Sequence, residues 1–431
     1  MTSPFRGTGI DGPEPLADRA AIQRRTLIVL VITQVVGAIG VGVAPSIGVL
    51  LAGEVTQNEA WAGLARTAST LGAALLGLPL GNLAAKRGRR VALATGWWLA
   101  AAGALILVFA AQLSLVVPLL VGLLLIGSGG AVSLQSRFAA TDLAEPRHKA
   151  RSLAMVVWVG TLGSVLGPNL GAPGAVVGAA TGLTVFASAF LIAGVFLALA
   201  GVVVFVLLRP DPLLFSASEA HQEAVPAQRQ GRIRRLFAEL RTNHRARSAV
   251  IAILVGQVVM VSMMTMTPVH VVHHGGSVNL VGITISLHVV GMYALAPVVG
   301  VLTDRYGHRL TMSIGVVVFV ASLVVVILRP DDMAWVVVSL ILLGLGWSFV
   351  NVSGSALFAR AVSSQARASA QGGVDALANL IGATAAFLAG PVLAASSFST
   401  LAWIAMAALI PLAILLARPA PRDPAFRDDP R

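Results

Sequence analysis

The chain has no cysteine among its 431 residues. That excludes disulfides, thiolate metal sites and CxxC redox chemistry. Charge is scarce as well: Asp, Glu, Lys and Arg make up 11% of the chain, and a soluble domain carries about twice that share. There is no G-x-x-x-x-G-K-[ST] loop, so no ATP-driven motor of the P-loop kind is encoded. No Ser-His-Asp or metallohydrolase pattern occurs either, and neither enzymatic chemistry nor a cofactor is expected. The N-terminal 25 residues are polar and end in Arg24-Arg25. The apolar run after them is too long for the ~7–15-residue core of a signal peptide and reads as a first membrane span.

What is present is apolar. Hydrophobic residues are 57% of the chain and come in runs close to the ~20 residues that cross the hydrocarbon of a bilayer. Twelve such spans are expected. Six lie at 26–52, 60–81, 91–111, 116–137, 151–172 and 183–208, and six at 248–271, 279–301, 310–328, 334–357, 372–394 and 400–417. The fold class is therefore an all-α membrane protein, with two pseudo-symmetric six-helix bundles at 26–208 and 248–417. A polar N-tail (1–25), a basic linker (209–247) and a Pro-rich, disordered C-tail (418–431) complete the expected organisation. Within the linker, 231–241 reads as an amphipathic basic helix suited to an anionic membrane surface.

The net charge of +12 is topological and does not point to nucleic acid. Lys and Arg collect in the N-tail, the linker, the C-tail and the basic turns, and the short outer loops hold only Arg329. The positive-inside rule then places both termini in the cytoplasm and the chain in the plasma membrane.

Two turns repeat one form, G-x-L-x-x-[KR]-x-G-x-R. They are Gly81-Asn-Leu-Ala-Ala-Lys-Arg-Gly-Arg-Arg90 and Gly300-Val-Leu-Thr-Asp-Arg-Tyr-Gly-His-Arg309, half a chain apart. An internal repeat of that size is the mark of a carrier built from two related bundles. The turns resemble motif A of the major facilitator superfamily, which lies between spans 2 and 3 and again between 8 and 9. The resemblance implies alternating access, with Gly81, Arg87, Gly88, Arg90, Gly300, Asp304, Arg305, Gly307 and Arg309 as gating residues. Asp304 is expected to accept hydrogen bonds from a neighbouring helix end or an Arg. Ala85 stands where the family has Asp, so the first latch is expected to be weaker. Span 5 carries Gly163, Gly167, Pro168 and Gly171 in a pattern similar to motif C, which tilts the resemblance toward an antiporter used in efflux. Pro168 is expected to bend this span while the glycines admit a close partner.

Spans 7 and 8 hold the sharpest chemistry. Met260 and Met264 share one helix face, and so do His288 and Met292. At ~1.5 Å per residue, Met264 and His288 both lie about 10–14 Å deep. Soft thioether sulfur and imidazole suit copper. The M-x-x-x-M and H-x-x-x-M pair resembles the CcoA-type copper importers of the same superfamily, and that resemblance makes these four residues copper ligands. The residues themselves leave two other roles open, organic-solute or proton handling at His288 and plain packing of methionines. Relatives of that branch handle organic solutes such as riboflavin.

His270, His273 and His274 crowd the outer end of span 7 as a candidate metal-capture cluster. Arg66, in span 2, is the deep fixed cation and a candidate substrate contact. Arg137, near the inner end of span 4, reads as interfacial. No acid lies mid-span, so His288 and Asp375 are the candidate proton carriers. The expected partners are a small-molecule or metal-ion substrate, the lipid bilayer and protons. A receptor or scaffold that shares the fold without transporting is the third reading.

Overall fold

The computed structural model describes residues 14–145, 148–219, 240, 243–362 and 364–418. Among these, every regular element is helical. Lipid offers no hydrogen-bond partner, so a spanning backbone must satisfy itself within each helix.

Span 1 is α1 (Glu14–Val41), a π-helical turn at Ala44–Gly48, and α2 (Val49–Thr56). Spans 2 and 3 form one continuous rod of 52 residues, α3 (Ala62–Leu113), broken at a single point. That point is Gly88, with φ 86° and ψ 170°. Gly307 repeats the conformation between spans 8 and 9, at φ 85° and ψ 153°. Only glycine adopts this region without steric cost, so the repeated motif glycines mark two identical backbone breaks. Among the described residues, eleven helical stretches are long and apolar enough to cross a membrane, and the longest counts twice because of the break at Gly88. Twelve spans result, as expected.

Span 4 is α4 (Val116–Ile126) and α5 (Ser128–Ala139). Span 5 is α6 (Lys149–Leu166), a 3-10 turn at Gly167–Leu170, and α7 (Gly171–Thr181). The bend expected from Pro168 is this 3-10 turn. Span 6 is α8 (Val185–Leu207), and α9 (Pro212–Glu219) follows it. In the second half the elements are α10 (His244–His273), α11 (Val278–Tyr293), α12 (Ala296–Tyr306) and α13 (His308–Leu328). They continue with α14 (Met333–Ala361), α15 (Ser364–Ala395), α16 (Phe398–Ala408) and α17 (Ile410–Ala417). Span 7 is thus α10, span 8 is α11 with α12, span 10 is α14 and span 11 is α15. The expected basic helix at 231–241 and the outermost tails, 1–13 and 419–431, lie outside the described residues, Leu240 excepted.

Short polar loops start the helices with side-chain caps. Ser277 accepts from the Leu280 amide, Asp332 from Ala334, and Ser397 from Thr400. Each hydroxyl or carboxylate satisfies an amide that the helix start leaves unpaired.

The two bundles pack by the same device. Trp97 of span 3 fills the space left by Gly37 of span 1 and Gly129 of span 4. Phe319 of span 9 fills the space left by Gly346 of span 10 and reaches the edge of Gly256 of span 7, where Val350 lies nearer. Without a hydrophobic drive between helices in lipid, such close fits carry the association. The twofold repeat seen in the basic turns therefore extends into the cores. The bundles meet along α3 against α15, and along α6 with the 3-10 turn against α11.

Candidate transport site

The meeting faces are closed at one end. In this section that end, where the short loops lie, is the short-loop end, and the other, where the motif A turns lie, is the basic end. At the short-loop end, Gly63 of α3 lies on the backbone of Ala386, and Gly390 of α15 lies on the backbone of Ala60. A Cβ at Gly63 or Gly390 would collide with a carbonyl oxygen. The Thr67 hydroxyl donates to the Ala383 carbonyl at 2.8 Å. On the other flank, Gly171 packs on Val278 and Gly282 packs on the Pro168 carbonyl. The Asn169 amide donates to Ser286 Oγ at 2.7 Å, and Ser286 donates in turn to the Val165 carbonyl.

The same faces open toward the basic end. Following helical periodicity from Gly63 and Thr67 leads to Leu71, Leu75 and Leu78, all exposed, Leu78 by 66%. From Gly390, Ala386 and Ala383 it leads to Asn379, Ala376 and Gly372, again exposed. From Val165, whose carbonyl meets Ser286, it leads two turns on to Trp158, and from Gly282 and Ser286 to Val290, Pro297 and Val301, all four exposed. Four helices that touch at one end and diverge at the other enclose a gap that opens at the basic end.

Polar and aromatic groups line the apex of that gap. Arg66 precedes Thr67 in α3 and so lies beside the Thr67–Ala383 contact, on its short-loop side. Arg66 is half-buried. Tyr293 stands edge-on to Trp347, with ring centroids 5.8 Å apart. The Trp347 indole N–H donates to Gln257 Oε1 at 3.1 Å. Tyr293, Trp347 and Gln257 each fall near the middle of their spans. Nearer the basic end, the Gln371 amide donates to Asp375 at 3.3 Å, and Arg137 is half-buried in α5.

Met260, Met264, His288 and Met292 are all buried. His288 Nδ1 donates to the Leu340 carbonyl at 2.8 Å, which holds the ring on the α14 side of its helix. His288 Nε2 is buried with no hydrogen-bond partner among the described residues. The outer histidines are engaged elsewhere. His270 Nε2 donates to the Pro330 carbonyl at 2.7 Å, and the ring stacks on Phe398. His274 donates to the His270 carbonyl and faces Asp331 at 3.1 Å. Among the described residues, no group of three or more His, Asp or Glu side chains is arranged to hold a metal ion.

The basic turns are held by partners from outside the motif. Asp304 accepts from Arg360, at the end of α14, and Arg309 donates to the Leu416 carbonyl of α17. Arg305 lies over the Tyr306 ring. In the first copy, where Ala85 replaces the acid, two others stand in. Arg89 forms a two-pronged pair with Asp142, at 2.8 and 3.2 Å. The Arg90 amide donates to Asp211 at 2.7 Å, and the Asp211 carboxylate fills the space beside Gly88. The acids beside the first turn thus come from the segment after span 4 and from the start of the linker. Arg87 is exposed, and Arg89 takes the buried contact. In span 5, Gly163 and Gly167 pack on span 1 of their own bundle, whereas Gly171 faces the other bundle.

The Major Facilitator Superfamily family model matches residues 26–283 and 270–431. The chain belongs to that superfamily. It is 35% identical over 398 residues to the uncharacterised MFS-type transporter YdeG of Bacillus subtilis strain 168, covering 92% of this chain and 91% of that one. It is 29% identical over 406 residues to the riboflavin transporter RfnT of Brucella anthropi, covering 92% and 97%. The crystal structure of the nucleoside transporter NupG superposes with a TM-score of 0.67 at 17% identity, over 92% of this chain and 98% of that one, which shows a shared fold. The chain is a multi-pass membrane transporter of the facilitator type and not an enzyme.

Tyr293, Trp347 and Gln257 escaped the reading of the sequence. A signal was present. Tyr293 is one of only two tyrosines, and each of the three is a hydrogen-bonding side chain deep in an apolar run. No pattern in the sequence relates the three, because they lie on three different helices.

Proposed function

We propose that this facilitator moves a small organic solute by alternating access, with the solute held among Arg66, Gln257, His288, Tyr293 and Trp347. The observation that carries the reading is the Tyr293–Trp347–Gln257 arrangement at the apex of a gap closed at one end. A flat aromatic face beside directional hydrogen-bonding groups is the make-up of an organic-ligand site. The resemblance over nearly full length to a riboflavin transporter supports the same solute class. The positive-inside rule supports reading the open end as cytoplasmic, in a plasma-membrane protein with both termini inside. The gap is then the cytoplasmic-facing state. Asp375 is the acid available for proton coupling.

Flux into proteoliposomes tests this. Purified protein should exchange riboflavin or other aromatic solutes, and Trp347→Ala should abolish exchange while leaving the protein monodisperse. Wild-type flux of none of these solutes would sink the reading.

A second reading, copper, rests on a different observation. With Nδ1–H committed to Leu340, the His288 Nε2 lone pair is buried and unspent, one turn from Met292. Thioether and imidazole ligands suit Cu(I). Here Met260→Leu with Met264→Leu should remove Cu(I) uptake, whereas an organic carrier tolerates the nearly volume-neutral change.

A further inference from the structure

Gln257 is held in one orientation at the apex of the gap. The Trp347 indole nitrogen can only donate, so the atom 3.1 Å from it is the amide oxygen, and the Gln257 amino group points away. The other side of the amide lies on span 11. A Cβ added at buried Gly382 would stand 3.3 Å from both Cγ and Nε2 of Gln257, so the missing side chain is what lets the amide lie flat on that helix. Gly382 precedes Ala383, whose carbonyl takes the Thr67 hydroxyl at 2.8 Å, and this sets the amide level with the contact that closes the gap. It stands on the open side of that contact. Val261 also meets Gly382, and Gln257 lies one turn nearer the basic end of α10. Side chains on a helix tilt toward its N-terminus, which for α10 is the basic end. Gln257 Nε2 has no hydrogen-bond partner among the described residues, and unlike His288 Nε2 it is not sealed from water. A fixed amide thus offers N–H donors into the gap while its oxygen is turned to Trp347.

We infer that Gln257 selects the solute by donating to a carbonyl oxygen in the plane of its ring system, and that Trp347 sets the amide for this through its indole N–H. This rests on the organic-solute reading and names the solute class, planar heterocycles that carry a ring carbonyl. The Tyr293–Trp347 pair takes the flat face of such a solute and Gln257 takes its edge. Turning the amide over would set an amino group against the indole N–H, two donors with no acceptor between them, at the cost of the bond now made. The donor side is therefore the side the solute meets. An edge that carries only donors leaves this amide unsatisfied, and selectivity of that kind comes from the site's own unpaired polar group.

The test uses full-length protein in nanodiscs and ligand-dependent thermal stabilisation. Two matched pairs keep the ring count and remove the carbonyls, alloxazine beside phenazine and chromone beside chromane. The carbonyl member of at least one pair should bind about two- to tenfold more tightly, the worth of one neutral hydrogen bond. Gln257→Leu should erase that preference while phenazine or chromane still binds, which shows that the variant is folded. Trp347→Phe keeps an aromatic ring, removes the N–H that turns the amide, and should shrink the preference. Equal binding within both pairs, tighter binding of the carbonyl-free members, a preference that survives Gln257→Leu, or an undiminished one in Trp347→Phe overturns the proposal. Stabilisation of the wild type by Cu(I) and by none of the organic probes, riboflavin included, overturns the reading beneath it.

Discussion

Arg89 and Asp142 show how one residue position separates decoration from structure. Their side chains are 14% and 12% exposed, and two hydrogen bonds join them. Asp142→Asn leaves a mostly buried guanidinium without its charge partner. It should cost about 1–3 kcal/mol, read as a lower thermal midpoint in detergent. Arg87→Gln, at an exposed position two residues away, should stay within about 0.5 kcal/mol. Equal losses would mean that the buried pair adds nothing. The motif pattern marks both arginines alike. Only the partner, brought from the far side of span 4, tells them apart.

The elements depend on glycines in two separate ways, and substitution resolves them. Gly88 and Gly307 share a positive φ, so alanine at either site is strained by roughly 1–3 kcal/mol. At Gly307 the space beside the backbone is open, whereas at Gly88 it is filled by Asp211. Gly88→Ala should therefore destabilise more than Gly307→Ala, and Asp211→Gly should narrow the difference. A thermal series on the single and double variants checks this, and identical losses at the two glycines would contradict the role given to Asp211. The break at each motif glycine was legible in the sequence, because G-x-L-x-x-[KR]-x-G-x-R interrupts two apolar runs at the same place. The acids beside the first turn were not. Asp142 and Asp211 are distant in sequence from that loop, and only the packing of span 4 and the linker start against it brings them close.

At the scale of the whole molecule, the close backbone contacts of Gly63 and Gly390 make one end a gate. A side chain at Gly63 cannot fit against the Ala386 backbone, so Gly63→Leu should hold the short-loop end apart. The absence of native cysteine makes this measurable, since any thiol introduced is the only one present. In the otherwise wild-type chain, a thiol at exposed Asn379 should react with a water-soluble maleimide and one at buried Ala386 should be protected. With Gly63→Leu added, the Ala386 thiol should become reactive and the Asn379 thiol slower. An unchanged pattern would separate the gate from those glycines. A rigid-body rocking of two bundles predicts the reciprocal change, because interfaces of packed helices switch between discrete arrangements.

Span count, twofold repeat and carrier class follow from the sequence alone. Runs near the membrane's thickness, their basic turns and a repeated motif depend only on local composition and order along one chain. Which residues face the gap was decided by the tertiary structure. A helix in lipid is apolar on every side, so its sequence carries little of the amphipathic periodicity that marks a buried face in a soluble protein. Pairing Tyr293 with Trp347, or Trp347 with Gln257, needs the relative rotation of helices whole spans apart. That rotation is set by where glycines let backbones touch, and it becomes visible only when the helices are packed.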